Sequence, residues 1–185
     1  HMNLSLYSDE DNEIISTFNL LTSKPFFVIG NISENENLNH QTEIHQWCNE
    51  NSIQFIPVVI EQEYEIATLD QEERKEYLNL LGLNEPALNS IIRAGFEILG
   101  LQTYFTSGPK ESRAWTIKKG SLAPQAAGVI HTDFEKGFIK AEVVSYDHFI
   151  EYSGNHGARQ EGALRLEGKD YTVQDGDVIL FKFNV

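Results

Sequence analysis

Asn31 and Glu34 stand three residues apart where an apolar run, Phe26-Phe27-Val28-Ile29-Gly30, gives way to polar chain. An asparagine amide both donates and accepts, the pairing that reads the N6 and N7 edge of adenine. An ionised glutamate only accepts, so it suits an exocyclic amino group or a ring N–H, or it fixes a loop by taking backbone N–H groups. The same residue types cap helices and build turns. Spacing by itself leaves the purine reading and the loop reading both open.

Other residues capable of chemistry read as structural. His131 and Asp133 could form half a metal site, but one His and one Asp with no partner at helical ligand spacing read as a turn held by local hydrogen bonds. No metal ligand set and no catalytic group is expected. Glu61, Glu63 and Glu65 alternate just before a helix start, which reads as a solvated acidic edge rather than an acid/base pair. Ser107 in Ser-Gly-Pro-Lys-Glu lacks the flanking glycines of a nucleophile elbow. Trp115 and Phe134 read as core aromatics.

The elements that must position these residues fall into two bodies. In the first, Ser8 caps a helix carrying Ile14, Ile15, Phe18 and Leu21 at helical spacing, which Lys24-Pro25 stops. Phe26 to Gly30 then reads as a strand buried on both faces, as in parallel sheets. A helix with Ile44, Trp47 and Cys48 on one face follows, then the strand Ser-Ile-Gln-Phe-Ile-Pro-Val-Val-Ile, an acidic helix closed by Gly82, and a further helix ending at Gly100. Helix, strand, helix, strand, helix is half of an open α/β sheet. If Phe26–Gly30 is such a strand, its carboxyl end faces the usual ligand crevice, and Asn31 sits there.

From residue 101 the pattern changes to strands rich in Tyr, Phe, Val and Thr, interrupted by an Ala-rich helix and the short helix Tyr-Asp-His-Phe-Ile-Glu-Tyr. This order predicts an α+β sheet with a helix across one face, β-grasp-like, with Asp175-Gly176 reversing the chain before the last strand. The boundary is expected near Gly100, giving domains of 1–100 and 101–185.

Charge divides the chain at the same place. Of the net charge of −14, residues 1–100 carry −13 and residues 101–185 carry −1. The cations of the second body, Lys110, Arg113, Lys118, Lys119, Lys136 and Lys140, gather in one hairpin and at the entry to the next strand, and are expected to form one phosphate-facing patch. Cys48 is the single cysteine, so no intrachain disulfide can form, and the apolar runs fall far short of the roughly 20 residues of a membrane span. A reducing, cytoplasmic setting with no membrane partner is expected. His1-Met2 resembles the scar of a cleaved tag, which points to a piece of a larger protein.

Several stretches, Leu-Leu-Thr-Ser-Lys-Pro-Phe-Phe-Val-Ile-Gly-Asn-Ile-Ser-Glu-Asn-Glu, the run from Thr103 to Ile150 and the run from Arg165 to Val185, resemble in order the C-terminal half of the Obg-like ATPase family, the YchF proteins. The resemblance covers nearly all of the chain. It implies a partial P-loop NTPase segment, Rossmann-like, followed by a β-grasp TGS domain, in a protein that prefers ATP to GTP, uses Mg²⁺ and associates with ribosomes or structured RNA. In that family Asn-x-x-Glu replaces the guanine-reading Asn-Lys-x-Asp, so Asn31, Ile32 and Glu34 match its base-reading motif. Val59-Ile60 takes the place of the small Ser-Ala pair that backs the purine, a departure that puts ordinary base binding in doubt. Within these 185 residues there is no G-x-x-x-x-G-K-[ST], so the phosphate cradle and the Mg²⁺-holding hydroxyl are absent. ATP and Mg²⁺ are therefore expected in the full-length protein and not bound to this chain, which is expected not to hydrolyse ATP. The rival expectation is a self-sufficient binding or regulatory module, contacting RNA or protein, with no nucleotide role.

Overall fold

The computed structural model describes residues 6–33 and 38–184, and the chain divides into two compact units, His1–Ile98 and Leu99–Val185. In the first unit, helix α1 spans Asp9–Thr17, with the Ser8 hydroxyl accepting from the Asp11 N–H at 3.2 Å. It stops earlier than the apolar spacing predicts, because Asn19 turns left-handed at φ 49° and Leu21–Ser23 form a separate 3-10 turn. None of its residues is buried.

Strand β1 (Val28–Asn31) pairs in parallel with β2 (Phe55–Val58), Val28 facing Phe55 and Asn31 facing Val58. Helix α2 (Leu38–Glu50) leads into β2, and α3 (Ile60–Thr68), α4 (Gln71–Leu80) and α5 (Ala87–Ile98) follow it. The core is small: Ile56, Val58 and Ala94, with Phe27, Ala87 and Ile91 against them. A Cβ at Gly30 would lie 2.5 Å from the Phe55 ring, which would have to shift to admit one. β1 departs from the expectation of burial on both faces: Ile29 is 48 % exposed, because among the described residues β1 and β2 form a sheet of two strands, too narrow to cover both of its faces.

Polar caps bind α3, α4 and α5 together. Asp70 and Glu73 form a reciprocal capping box at the start of α4. The Arg74 guanidinium donates to the carbonyls of Ile66 and Leu69 at 3.1 and 3.2 Å, closing the end of α3. Glu63 accepts from the N–H groups of Ala87 and Leu88 at the start of α5, at 2.7 and 3.2 Å. Glu65 accepts from the Tyr77 hydroxyl. Two members of the acidic run thus have structural partners, where the sequence pattern predicts a wholly solvated edge.

The second unit holds a five-stranded sheet in the order β4-β3-β7-β5-β6. Its strands are β3 (Leu101–Ser107), β4 (Ser112–Lys118), β5 (Phe138–Ser145), β6 (Arg165–Glu167) and β7 (Asp177–Phe183). β3 and β7 run parallel, and every other neighbour is antiparallel. Helix α6 (Ala123–Ile130) crosses one face, where the Tyr104 hydroxyl donates to the Ala126 carbonyl at 2.9 Å. Its small residues Ala123, Ala126 and Ala127 let it approach Tyr104, Ile117, Val143, Ile179 and Phe181 closely, and all of them are buried. Helices α7 (Thr132–Lys136), α8 (Tyr146–Glu151) and α9 (Asn155–Gln160) complete the unit.

Two buried polar side chains are satisfied. Gln102 donates to the Val173 carbonyl at 2.6 Å. Asp177 accepts from the Tyr171 hydroxyl at 2.7 Å and the Gln174 N–H at 2.9 Å, with Arg165 beside it. The reversal at Asp175-Gly176 is locked as well: Asp175 accepts from the Thr103 N–H at 2.8 Å, and Gly176 adopts φ 80°.

Candidate functional site

The carboxyl ends of β1 and β2 bring four of the expected purine-site residues together. Asn31 closes β1 and is exposed; Ile32 follows, its N–H donating to the Val58 carbonyl at 2.9 Å. Because Asn31 is in register with Val58, Val59 begins the chain's exit from the neighbouring strand at the same level. Val59 is the N-cap residue of α3 and makes no side-chain cap, and Ile60, its first residue, is 53 % exposed. One amide and two branched apolar side chains thus border the end of a parallel pair, where open α/β sheets bind ligands. Glu34 lies outside the described residues. By residue type, an amide can pair with a polar ligand edge and branched side chains can offer apolar contact.

Metal chemistry has no convergent ligands: among the described residues no three His, Cys, Asp or Glu side chains meet as a cation would require. His131 Nδ1 instead accepts from the Asp133 N–H at 3.2 Å and caps α7.

The six cations expected to form the patch are all exposed, and among the described residues none of them has a carboxylate partner, whereas Arg159 and Lys182 of the same unit approach Glu142 and Arg165 approaches Asp177. They do not share one face. Successive strand residues point to opposite sides of a sheet, so Arg113 stands on the face of Trp115 and Ile117, and Lys118 stands on the other. Lys110 lies at the hairpin tip beside Arg113, and Lys119 lies beside Lys118 at the far end of β4. Lys140 is on β5, three strands from β4 in the sheet order, and Lys136 is in the last turn of α7. The single patch expected from chain proximity is therefore replaced by two pairs at opposite ends of β4 and two separate lysines.

Trp115 packs against the core as the sequence predicts, and has two polar neighbours that the sequence reading did not include. Its indole Nε1 donates to Thr106 Oγ1 at 2.9 Å, and the Arg113 guanidinium lies 4.6 Å from its ring centroid. Residues two apart on a strand share a face, so the pairing of Arg113 with Trp115 was the available signal.

A parallel pair of strands among helices, joined in sequence to a mixed five-stranded sheet crossed by a helix, defines a two-unit protein of mixed α/β fold. Residues 101–184 match the family YchF-GTPase_C, described as "Protein of unknown function (DUF933)". The chain is 51% identical over 178 residues to the Ribosome-binding ATPase YchF of Haemophilus influenzae, covering 95% of this chain and 49% of that protein. It is 42% identical over 184 residues to Obg-like ATPase 1 of Rattus norvegicus, covering 96% of this chain and 46% of that protein. Among solved structures, that of the Schizosaccharomyces pombe YchF GTPase superposes with a TM-score of 0.80 at 37% identity, covering 95% of this chain and 48% of that one. Across nearly its whole length the chain is homologous to the Obg-like ATPase (YchF) family. It spans about half the length of the curated relatives it matches.

Proposed function

We propose that the chain supplies the base-reading side of the nucleotide domain of a cytoplasmic, ribosome-associated, ATP-preferring P-loop NTPase, joined to a TGS domain that contacts the ribosome or structured RNA. The observation that carries this reading is the placement of Asn31 and Ile32 next to Val59 and Ile60 at the carboxyl ends of two adjacent parallel strands. The names of the relatives, ribosome-binding and Obg-like ATPases, agree with it. The order β4-β3-β7-β5 with a parallel central pair and α6 across one face supports the β-grasp assignment.

Asn31 would pair the purine edge, Glu34 would accept from it or hold the loop, and Val59 and Ile60 would lie against the ring. When bound, ATP with Mg²⁺ supplies the phosphoryl group for hydrolysis, and residues outside this chain must hold its phosphates. The chain by itself should therefore bind nucleotide no tighter than about millimolar, roughly −4 kcal/mol. In the full-length protein, Asn31→Ala should weaken ATP binding by about 1 to 3 kcal/mol, the value of a bidentate amide contact to adenine. Calorimetric titration tests both statements: micromolar ATP binding by this chain, or unchanged affinity in the full-length variant, would overturn the assignment.

A further inference from the structure

We propose that Arg113 and Trp115 form a stacking platform for an unpaired nucleotide of single-stranded RNA, an inference that rests on the RNA-contact reading of the second unit. Of the arginines among the described residues, Arg74, Arg93, Arg159 and Arg165 each reach a carbonyl or carboxylate oxygen, and Arg113 does not. Its guanidinium is exposed, lies 4.6 Å from the centroid of the Trp115 ring, and keeps its N–H donors available.

The layer beneath it is fixed. Trp115 is half-buried against the core, and its one polar atom is tied to Thr106 Oγ1 at 2.9 Å, so the indole cannot turn without breaking that bond. A guanidinium resting on a fixed indole presents a flat, weakly hydrated cationic surface. Such a surface takes a base on its face and a phosphate on its edge. A lysine supplies the charge and no plane. Lys110, exposed at the tip of the same hairpin, adds a second cation within reach of a neighbouring phosphate. A duplex keeps its bases stacked on one another and has none to offer, so the platform favours unpaired nucleotides.

Intrinsic fluorescence reads the site directly, because the chain has two tryptophans and a Trp47→Phe background leaves Trp115 as the reporter. The whole chain in that background is titrated with a single-stranded RNA decamer, a duplex RNA of equal charge, inorganic polyphosphate and poly-glutamate. Single-stranded RNA should quench Trp115, and duplex, polyphosphate and poly-glutamate should not. Arg113→Lys should weaken single-stranded binding at least about fivefold, the low end of what one stacked base contributes, while the slope of affinity against salt stays the same because the charge is kept. Thr106→Val, which frees the indole without changing charge, should weaken it in the same direction.

Equal binding by Arg113→Lys, or equal quenching by polyphosphate, would overturn the platform. If Lys118→Glu with Lys119→Glu still weakened binding, the RNA reading would survive that result. Salt-independent binding indifferent to every cation, or poly-glutamate displacing RNA on equal terms, would remove the RNA reading as well and point to an acidic protein partner.

Discussion

In residues 101–184 a helix rich in alanine lies on a five-stranded sheet, and fourteen apolar residues among those described are buried; in the first unit six are. The first unit relies instead on side chains that close helix ends: Ser8, Asp70, Arg74 and Glu63. Caps contribute about 1 kcal/mol each and fix geometry locally, whereas buried apolar side chains contribute about 1.5 to 3 kcal/mol each and bind distant segments together. The contrast teaches that the second unit has the means to fold by itself, while the first has the local order of a domain and only a narrow sheet to gather it around.

The strongest way to break that comparison is to separate the units. A fragment Leu99–Val185 should unfold in one sharp thermal transition close to that of the second unit in the whole chain, and residues 1–98 alone should melt earlier and broadly. Circular dichroism of both fragments checks this, and a sharp transition in the first would end the contrast.

Smaller effects sharpen it. Gly30→Ala places a methyl group against the Phe55 ring at 2.5 Å and should destabilise the first unit by about 1 to 3 kcal/mol, leaving the second unchanged in the same urea titration. Glu63→Ala removes the acceptor for two N–H groups of α5 and should lower the first unit's stability by about 1 kcal/mol, with part of the loss recovered in Glu63→Gln.

The smallest effect is expected in the second unit at alkaline pH. Burial pushes the Tyr104 hydroxyl well above its usual range, and burial together with the neighbouring Asp177 raises Tyr171 from 10.0 to about 12. Both groups hold their protons more tightly folded than unfolded. Their contribution is therefore whole below about pH 10 and is lost as pH rises toward 12. The denaturation midpoint of the second unit should match at pH 8 and 9 and fall by pH 11, and Tyr171→Phe should make that fall shallower.

Much of the second unit is legible in the sequence, because its strands carry Tyr, Phe and Val in near alternation and its last turn uses Asp175-Gly176. β6 is not, since Arg-Leu-Glu is three residues long and exposes its leucine, leaving no apolar pattern to read. The apolar run at Phe26–Gly30 gives the strand but not its surroundings: burial depends on neighbours, and Ile29 lacks enough of them. The candidate purine residues rest on the family resemblance, while the side-by-side placement of Asn31 and Val59 comes from parallel register. The cations show the opposite limit, for closeness in the chain hid the two-sided alternation that separates Arg113 from Lys118.

Pro57 gives the narrow sheet a direction. The ladder has the N–H of Val28 and of Ile32 donating to Gln54 and Val58, so Phe55 and Pro57 turn their backbone nitrogens away from β1. On that outer side Pro57 has no hydrogen to offer, and a proline there marks a sheet margin. A strand added on that side would find no donor at Pro57. Were two copies to zip together through β1, each would turn its proline-blunted margin outward, which works against further growth of the sheet.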